Sequence, residues 1–118
     1  MLINLYDENL NYIKTIPEER ISEEELFHKA ISLYVYDNKR DLILQLILNI
    51  EQSKSYKEIV ETYFVEEYKL NSISDSQILL DHIETIKNSK EYIGNVFNYV
   101  VEVYLNKSQT KHIIEGNI

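Results

Sequence analysis

Cysteine is absent from this chain, which excludes thiolate zinc sites, iron–sulfur clusters, redox pairs and cysteine nucleophiles. A protein without disulfides is compatible with a reducing compartment, and we expect a cytoplasmic location. Glycine occurs twice and proline once, so there is almost no material for a linker between two domains. We therefore expect a single domain over residues 1–118, long enough to bury a core without a structural metal.

Long apolar runs and basic residues are also scarce. No stretch reaches the roughly 18 residues needed to span a bilayer, and no signal-peptide pattern opens the chain. Twelve Lys and Arg residues stand against 20 Asp and Glu residues, which gives a net charge of −8. Phosphate backbones and anionic membranes are bound through Lys and Arg that replace counterions. The composition therefore argues against direct contact with nucleic acid or membranes and favours a basic partner.

The most apolar segment is DLILQLILNI at residues 41–50, in which only two polar residues follow Asp41. A segment that is apolar on nearly every side must be surrounded by other elements. The run alone fits either a buried helix or a buried strand. Its leucine content, together with Asp37 and Asn38 as potential caps, favours a central helix over residues 41–52.

Three further helix starts are marked by a serine followed three residues later by Glu or Gln, which is the spacing of a capping box. The pairs are Ser22 with Glu25, Ser55 with Glu58, and Ser74 with Gln77. Apolar residues recur at helical spacing after each of them. The predicted helices cover residues 23–36, 41–52, 55–68, 75–87 and 93–104. The predicted fold is all-α, a compact bundle of about five helices with its helical core at residues 22–105.

The two ends of the chain carry competing interpretations. Residues 1–17 contain two apolar stretches around a polar triplet, which predicts a small β-hairpin, with an amphipathic helix as the alternative. Residues 99–105, YVVEVYL, favour a strand by composition, so a strand paired with that hairpin competes with the last helix. Residues 106–118 are polar and predict a frayed tail in which Ile113 and Ile114 dock weakly.

Motifs that carry chemistry are missing from the sequence. It contains no HExxH, no pair of Glu-x-x-His motifs, no glycine-rich phosphate loop and no glycine-flanked serine. Ser22, Ser55 and Ser74 serve better as caps than as nucleophiles. Carboxylates on a helix surface are normally solvated. We therefore expect neither an enzyme nor a bound cofactor or metal.

Ten tyrosines accompany the acidic surface. Tyrosine combines a large contact area with a polar tip, so acidic faces rich in tyrosine suit the binding of a basic protein. The candidate partner-binding residues are Glu18, Glu19, Glu23 and Glu24 in one cluster, and Glu61, Tyr63, Glu66, Glu67 and Tyr68 in another. The same residues also fit a bland interpretation, in which an AT-rich genome supplies the tyrosines and helix-start charge supplies the first cluster.

Binding to another protein is the predicted function. The chain is similar in general character to immunity proteins that neutralise bacterial nuclease toxins, although no motif carries this similarity. In that role, carboxylates stand in for nucleic-acid phosphates and cover a cationic cleft. One alternative is a DNA mimic from a phage or mobile element that inhibits a nuclease or restriction complex. Another is a self-associating assembly module, which its oligomeric state would distinguish.

Overall fold

The computed structural model describes residues 1–116 and shows a mainly β fold, so the prediction of an all-α bundle is wrong. The six strands are β1 (Leu2–Tyr6), β2 (Tyr12–Pro17), β3 (Phe27–Tyr36), β4 (Leu42–Asn49), β5 (Ile78–Ile86) and β6 (Asn95–Tyr104). The two α-helices are α1 (Tyr56–Tyr68) and α2 (Lys107–Gly116). Short 3-10 helices at Glu18–Glu23 and Asp75–Gln77 precede β3 and β5.

The six strands form one mixed sheet. Its order is β2-β1-β3-β6-β5, and β4 pairs with β3 beside β1. β3 and β6 are parallel at the centre, with Phe27 opposite Asn95 at one end and Tyr36 opposite Tyr104 at the other. β4 and β5 run antiparallel to their neighbours. The sheet therefore has β4 on one flank and β5 on the other.

Four of the five predicted helices are wrong, because the structure has strands in those segments. Residues 23–36 contain β3, residues 41–52 contain β4, residues 75–87 contain a 3-10 turn and β5, and residues 93–104 contain β6. Both faces of a central strand are buried, so apolar residues can occur at any spacing along it. The apparent helical periodicity in β3 and β6 follows from this burial. The strand interpretation of residues 99–105 is confirmed, but β6 pairs with β3 and β5 and not with the N-terminal hairpin.

The turn between β3 and β4 is built by Asp37, which the sequence analysis predicts as a helix cap. The Asp37 carboxylate accepts hydrogen bonds from the backbone N–H groups of Lys39 at 2.8 Å and Asp41 at 2.9 Å. Arg40 adopts a left-handed φ of 67°. An aspartate that binds its own backbone in this way favours a turn over a helix.

The predicted N-terminal hairpin is confirmed, and its turn has the same construction. The Asp7 carboxylate accepts from the backbone N–H groups of Asn9 at 2.8 Å and Asn11 at 3.0 Å, and Leu10 has a φ of 64°. β1 joins the main sheet through the pair Tyr6–Phe27.

The helix predicted after Ser55 is confirmed as α1. Ser55 Oγ accepts the Glu58 N–H at 3.3 Å, and Lys69, with a φ of 56°, ends the helix. The capping box of Ser74 and Gln77 also forms, but it leads into a single 3-10 turn. Ser22 lies inside the first 3-10 helix, so no α-helix begins there in the described chain.

Both α-helices cover one face of the sheet. Leu33 and Val35 of β3 lie in one buried apolar cluster with Val60 and Phe64 of α1. Ile113 of α2 also belongs to this cluster. The prediction of a frayed tail is therefore wrong through residue 116, where the chain forms a docked helix. Residues 117–118 of the predicted tail lie outside the described residues. Neither helix of the described chain has the length and apolar character needed to cross a bilayer.

The opposite face is polar at its centre. His28 and Ser32 of β3 and Asn98 of β6 are all buried there. The segment between β5 and β6, residues 87–94, crosses this face, because the Tyr92 hydroxyl lies 2.7 Å from Ser32 Oγ. We call this segment the β5–β6 loop.

Candidate functional site

A groove of about 450 Å³ lies at the C-terminal end of β4, where Ile47, Leu48 and Asn49 line it. Ile47 and Leu48 both line it, although adjacent residues of a strand point to opposite faces of the sheet. A groove that touches both side chains must therefore pass beside the edge of the strand. β3 occupies the other edge of β4, so the groove follows the edge that faces away from the sheet. We call it the β4 groove.

The walls of the β4 groove come from two different parts of the chain. α1 forms one wall with Ile59, Thr62 and Tyr63. The β5–β6 loop forms the other wall with Tyr92 and Ile93. Ile93 is 67% exposed, which is unusual for a large apolar side chain and leaves it available for contact at the mouth of the groove.

Five glutamates and one lysine line the β4 groove. The glutamates are Glu18, Glu51, Glu66, Glu67 and Glu91, and the lysine is Lys54. Lys54 Nζ lies 3.0 Å from Glu51 Oε2, so the single lysine already has an acidic partner. Within residues 1–116, Glu66, Glu67 and Glu91 form no ion pair. The groove therefore holds an excess of negative charge.

His28 is a buried base at the groove. Its side chain is 2% exposed, and its Nε2–H donates to Asn49 Oδ1 at 3.1 Å. Asn49 Nδ2 in turn donates to Glu18 Oε1 at 3.5 Å. Burial lowers the pKa of His28, so the imidazole is neutral at neutral pH.

His28 should make the protein less stable in mild acid. Its pKa in the unfolded chain is near the ordinary value of 6.5, and burial lowers it in the folded chain. The unfolded state therefore takes up the proton first, and stability is lost as the pH falls below about 6.5 toward the folded pKa. We expect His28→Gln to reduce the fall in unfolding free energy between about pH 7 and pH 5, measured by urea titration.

His82→Gln is the matched control for this experiment. Hydrogen bonds to Glu84 and Asp81 raise the pKa of His82, so its contribution is present at low pH and lost as the pH rises through the folded pKa. Its replacement should therefore steepen the loss of stability on acidification. An unchanged pH profile for His28→Gln would contradict the assignment to His28.

A chain of hydrogen bonds fixes Tyr92 in the groove wall. Ser32 Oγ donates its only proton to Asn98 Oδ1 at 3.0 Å, so the Tyr92 hydroxyl must donate to Ser32 Oγ. Asn98 Nδ2 donates to Glu84 Oε2 at 3.1 Å. Hydrogen bonds from His82 and Asn98 lower the pKa of Glu84, which keeps it ionised as the final acceptor.

The hydrogen bonds that link Tyr92 to Glu84 hold one wall of the β4 groove in place, and they do not arrange Ser32 as a nucleophile. The proton of Ser32 goes to an amide oxygen, whereas an activated serine donates to a base. Residues 1–116 also bring together no three His, Asp or Glu side chains in a metal-binding arrangement. The geometry is suited to holding a cationic or partly apolar ligand by contact and charge.

The structure brings together four of the nine candidate partner-binding residues. Glu18, Tyr63, Glu66 and Glu67 all line the β4 groove, although Glu18 is far from the others in sequence. Tyr68 lies beside them, and its hydroxyl accepts a hydrogen bond from the Tyr63 hydroxyl at 3.4 Å.

The other four candidate residues lie outside the groove. Glu61 is on α1 and lines a neighbouring shallow depression. Glu23 forms an ion pair with Arg20 at 2.9 Å, and Glu24 forms one with Lys14 at 3.0 Å. Glu19 is exposed in the first 3-10 helix.

Sequence reasoning missed several groove residues. Glu51, Glu91 and Tyr92 come from two loops and carry no local pattern that marks them. The apolar run predicts Ile47 inside a helix, whereas it lies in the edge strand β4. The missing signal was the location of the β4 edge, which depends on pairing with β3.

Neither a protein-family model nor a curated protein sequence matches this chain.

Proposed function

We propose that this protein binds a basic protein in the β4 groove, and that it acts in the cytoplasm as an immunity-type protein that neutralises a toxin such as a nuclease. The main support is the convergence of five glutamates on one groove. They come from the first 3-10 helix, the segment after β4, α1 and the β5–β6 loop. A net charge of −8 adds a long-range attraction for a cationic partner.

The groove combines this charge with walls of low polarity. Apolar side chains beside a carboxylate reduce screening by water and concentrate the electric field in the groove. On α1, Ile59 lines the groove together with Glu66 and Glu67, and in the β5–β6 loop Ile93 lines it together with Glu91. A lysine or arginine that enters the groove can therefore meet carboxylates with its charged tip and apolar groups with its stem.

Two tyrosines provide rigid contact area. Tyr63 and Tyr92 line opposite walls, and each has a hydrogen bond that restricts its ring. Burial and the Tyr68 hydroxyl raise the pKa of Tyr63, so its hydroxyl stays protonated at neutral pH. Aromatic residues held in this way are typical of interface positions that contribute most of the binding energy.

Neutralisation follows from covering the partner's own site. A nuclease holds the phosphates of its substrate with Lys and Arg, and these side chains are also the groups that carboxylates bind. An acidic groove seated on such a cleft excludes nucleic acid by occupying its cations. Charges at the rim set the association rate, whereas the apolar and tyrosine contacts slow dissociation.

The groove charge can be tested with a defined probe. The probe is a fluorescein-labelled peptide of alternating lysine and threonine, and its binding is measured by fluorescence anisotropy at low salt. We expect Glu66→Gln with Glu67→Gln to weaken binding roughly 5- to 30-fold, since each exposed ion pair contributes at most about 1 kcal/mol. Binding should also weaken as salt is added.

The control must change the net charge equally outside the groove. Asp75→Asn with Glu115→Gln meets this condition, because both residues are exposed and neither lines the β4 groove. This variant should bind the probe within about 2-fold of the wild type, because neither residue lines the groove and Coulomb attraction falls with distance. Equal weakening by both double variants, or equal binding of a glutamate–threonine peptide, would overturn the proposal.

A further inference from the structure

β4 differs from the other free edges of the sheet. Edge strands usually carry charges, prolines or bulges that prevent pairing with another chain. β2 contains Lys14 and Pro17. β5 contains three ionisable residues and a register shift between Leu80 and His82. β4, with the sequence LILQLILN, has no charged residue and no proline, and its one register shift is confined to its start, between Leu42 and Leu44.

The outer edge of β4 is also available for pairing. Its register with β3 is regular from Leu44 to Asn49, so alternate amide and carbonyl groups point away from the sheet. Among residues 1–116, no backbone hydrogen bond joins these outward groups between Leu44 and Leu48 to another segment. An edge of this kind is a template for one more strand.

The β4 groove lies at the C-terminal end of this edge, beside Ile47, Leu48 and Asn49, and its charge indicates what occupies it. Its walls, α1 and the β5–β6 loop, stand on the two sides of the strand, and an extended chain paired with the strand edge would lie between them. A second copy of this protein would bring two acidic grooves together and is disfavoured by repulsion. An extended segment rich in lysine or arginine is the complementary occupant.

We propose that a basic segment of the partner binds as an additional strand on β4, by β-strand addition. This inference rests on the proposed function and specifies its mode of binding. Side chains of the added strand alternate between the two walls. One set faces Tyr63 and Glu66 on α1, and the other set faces Glu91 and Ile93 on the β5–β6 loop.

The sheet geometry makes a specific demand on the peptide backbone. Only every second N–H of an added strand points toward β4, and the others point to solvent. In the lysine–threonine peptide, the amides of all lysines therefore lie on one edge and those of all threonines lie on the other. N-methylation of one set removes the donors to β4 and adds a clash, whereas methylation of the other set does neither.

The experiment compares the unmodified peptide with these two N-methylated peptides, using the same anisotropy assay. We expect one methylated peptide to bind at least 10-fold more weakly and the other to bind within about 3-fold of the unmodified peptide. Equal binding by all three peptides, or equal weakening of both methylated forms, would overturn strand addition. In either case, the proposal that the groove binds a basic partner would still stand if the double variant Glu66→Gln with Glu67→Gln weakens binding of the unmodified peptide.

Amide hydrogen exchange of the wild-type protein supplies a second measurement that needs no variant. Saturation with the unmodified peptide should slow exchange of alternate β4 amides between Leu44 and Leu48 at least 10-fold. The amides of β5 between Leu79 and Ile83, on the opposite flank of the sheet, are the internal control and should not change. Protection of β4 that grows with protein concentration in the absence of peptide would instead place a second copy at this edge and overturn the proposal.

Discussion

Replacing Phe64 with alanine should lower the free energy of unfolding by about 3–5 kcal/mol. Phe64 is fully buried on α1 and packs with the apolar residues of β3 and β6. Its ring also lies 5.5 Å from the ring of Tyr63 and 5.8 Å from that of Tyr68. The substitution removes a large apolar surface and leaves a cavity between α1 and the sheet. Urea unfolding followed by circular dichroism measures the loss.

The neighbouring residue provides the control for this variant. Val65 is on the same helix but is 40% exposed, so Val65→Ala should change stability by no more than about 0.5 kcal/mol. If Phe64→Ala has an equally small effect, α1 does not pack on the sheet through this residue. Loss of α1 packing should also weaken binding of the peptide probe, because this helix provides Glu66 and Glu67 to the groove.

The nearly isosteric substitution Asn98→Asp should destabilise the protein by about 3 kcal/mol at neutral pH. Asn98 is 1% exposed, and its Nδ2 donates to Glu84 Oε2 at 3.1 Å. The substitution replaces this donor with a second carboxylate oxygen, so two negative groups meet where one hydrogen bond existed. Ser32 can still donate to the new group, but that single bond does not offset burial of the charge.

The pH dependence identifies the cause. Burial and the neighbouring Glu84 raise the folded pKa of the introduced carboxyl above its unfolded value. The penalty is therefore present at neutral pH and disappears as the pH falls through that raised pKa. The difference in unfolding free energy between Asn98→Asp and wild type should shrink on acidification. Asn71→Asp, at an exposed position, should show no comparable loss at neutral pH, and equal losses would contradict the argument.

Two Tyr-Asp pairs in the sequence mark the hairpin turns of the fold. Tyr6-Asp7 and Tyr36-Asp37 both precede a hairpin turn in which the aspartate carboxylate binds two backbone N–H groups downstream. In both turns the residue three positions after the aspartate has a positive φ. The first of these segments was predicted as a hairpin, and the same reasoning applied to Asp37 would have placed β3 and β4.

The chain's own chemistry determined several features without the tertiary structure. The absence of cysteine excludes thiolate chemistry, and the charge of −8 is the basis for proposing a cationic partner. The Ser55 cap and the apolar stripe that follows it predicted α1 because both act within a few residues. The N-terminal hairpin is local for the same reason, since its two strands are joined by one short turn.

Only the tertiary structure decided that residues 41–50 contain an edge strand and that five glutamates from four separate segments share one groove. β3 pairs with β4 across a short turn, but it also pairs with β6, where Ser32 lies opposite Val100. β3 and β6 are far apart in sequence, so their pairing depends on the packing of the whole chain, and no local propensity specifies it. The apolar run of β4 has the same composition as a buried helix, so its structure and its exposed edge were set by the neighbours that the fold placed around it.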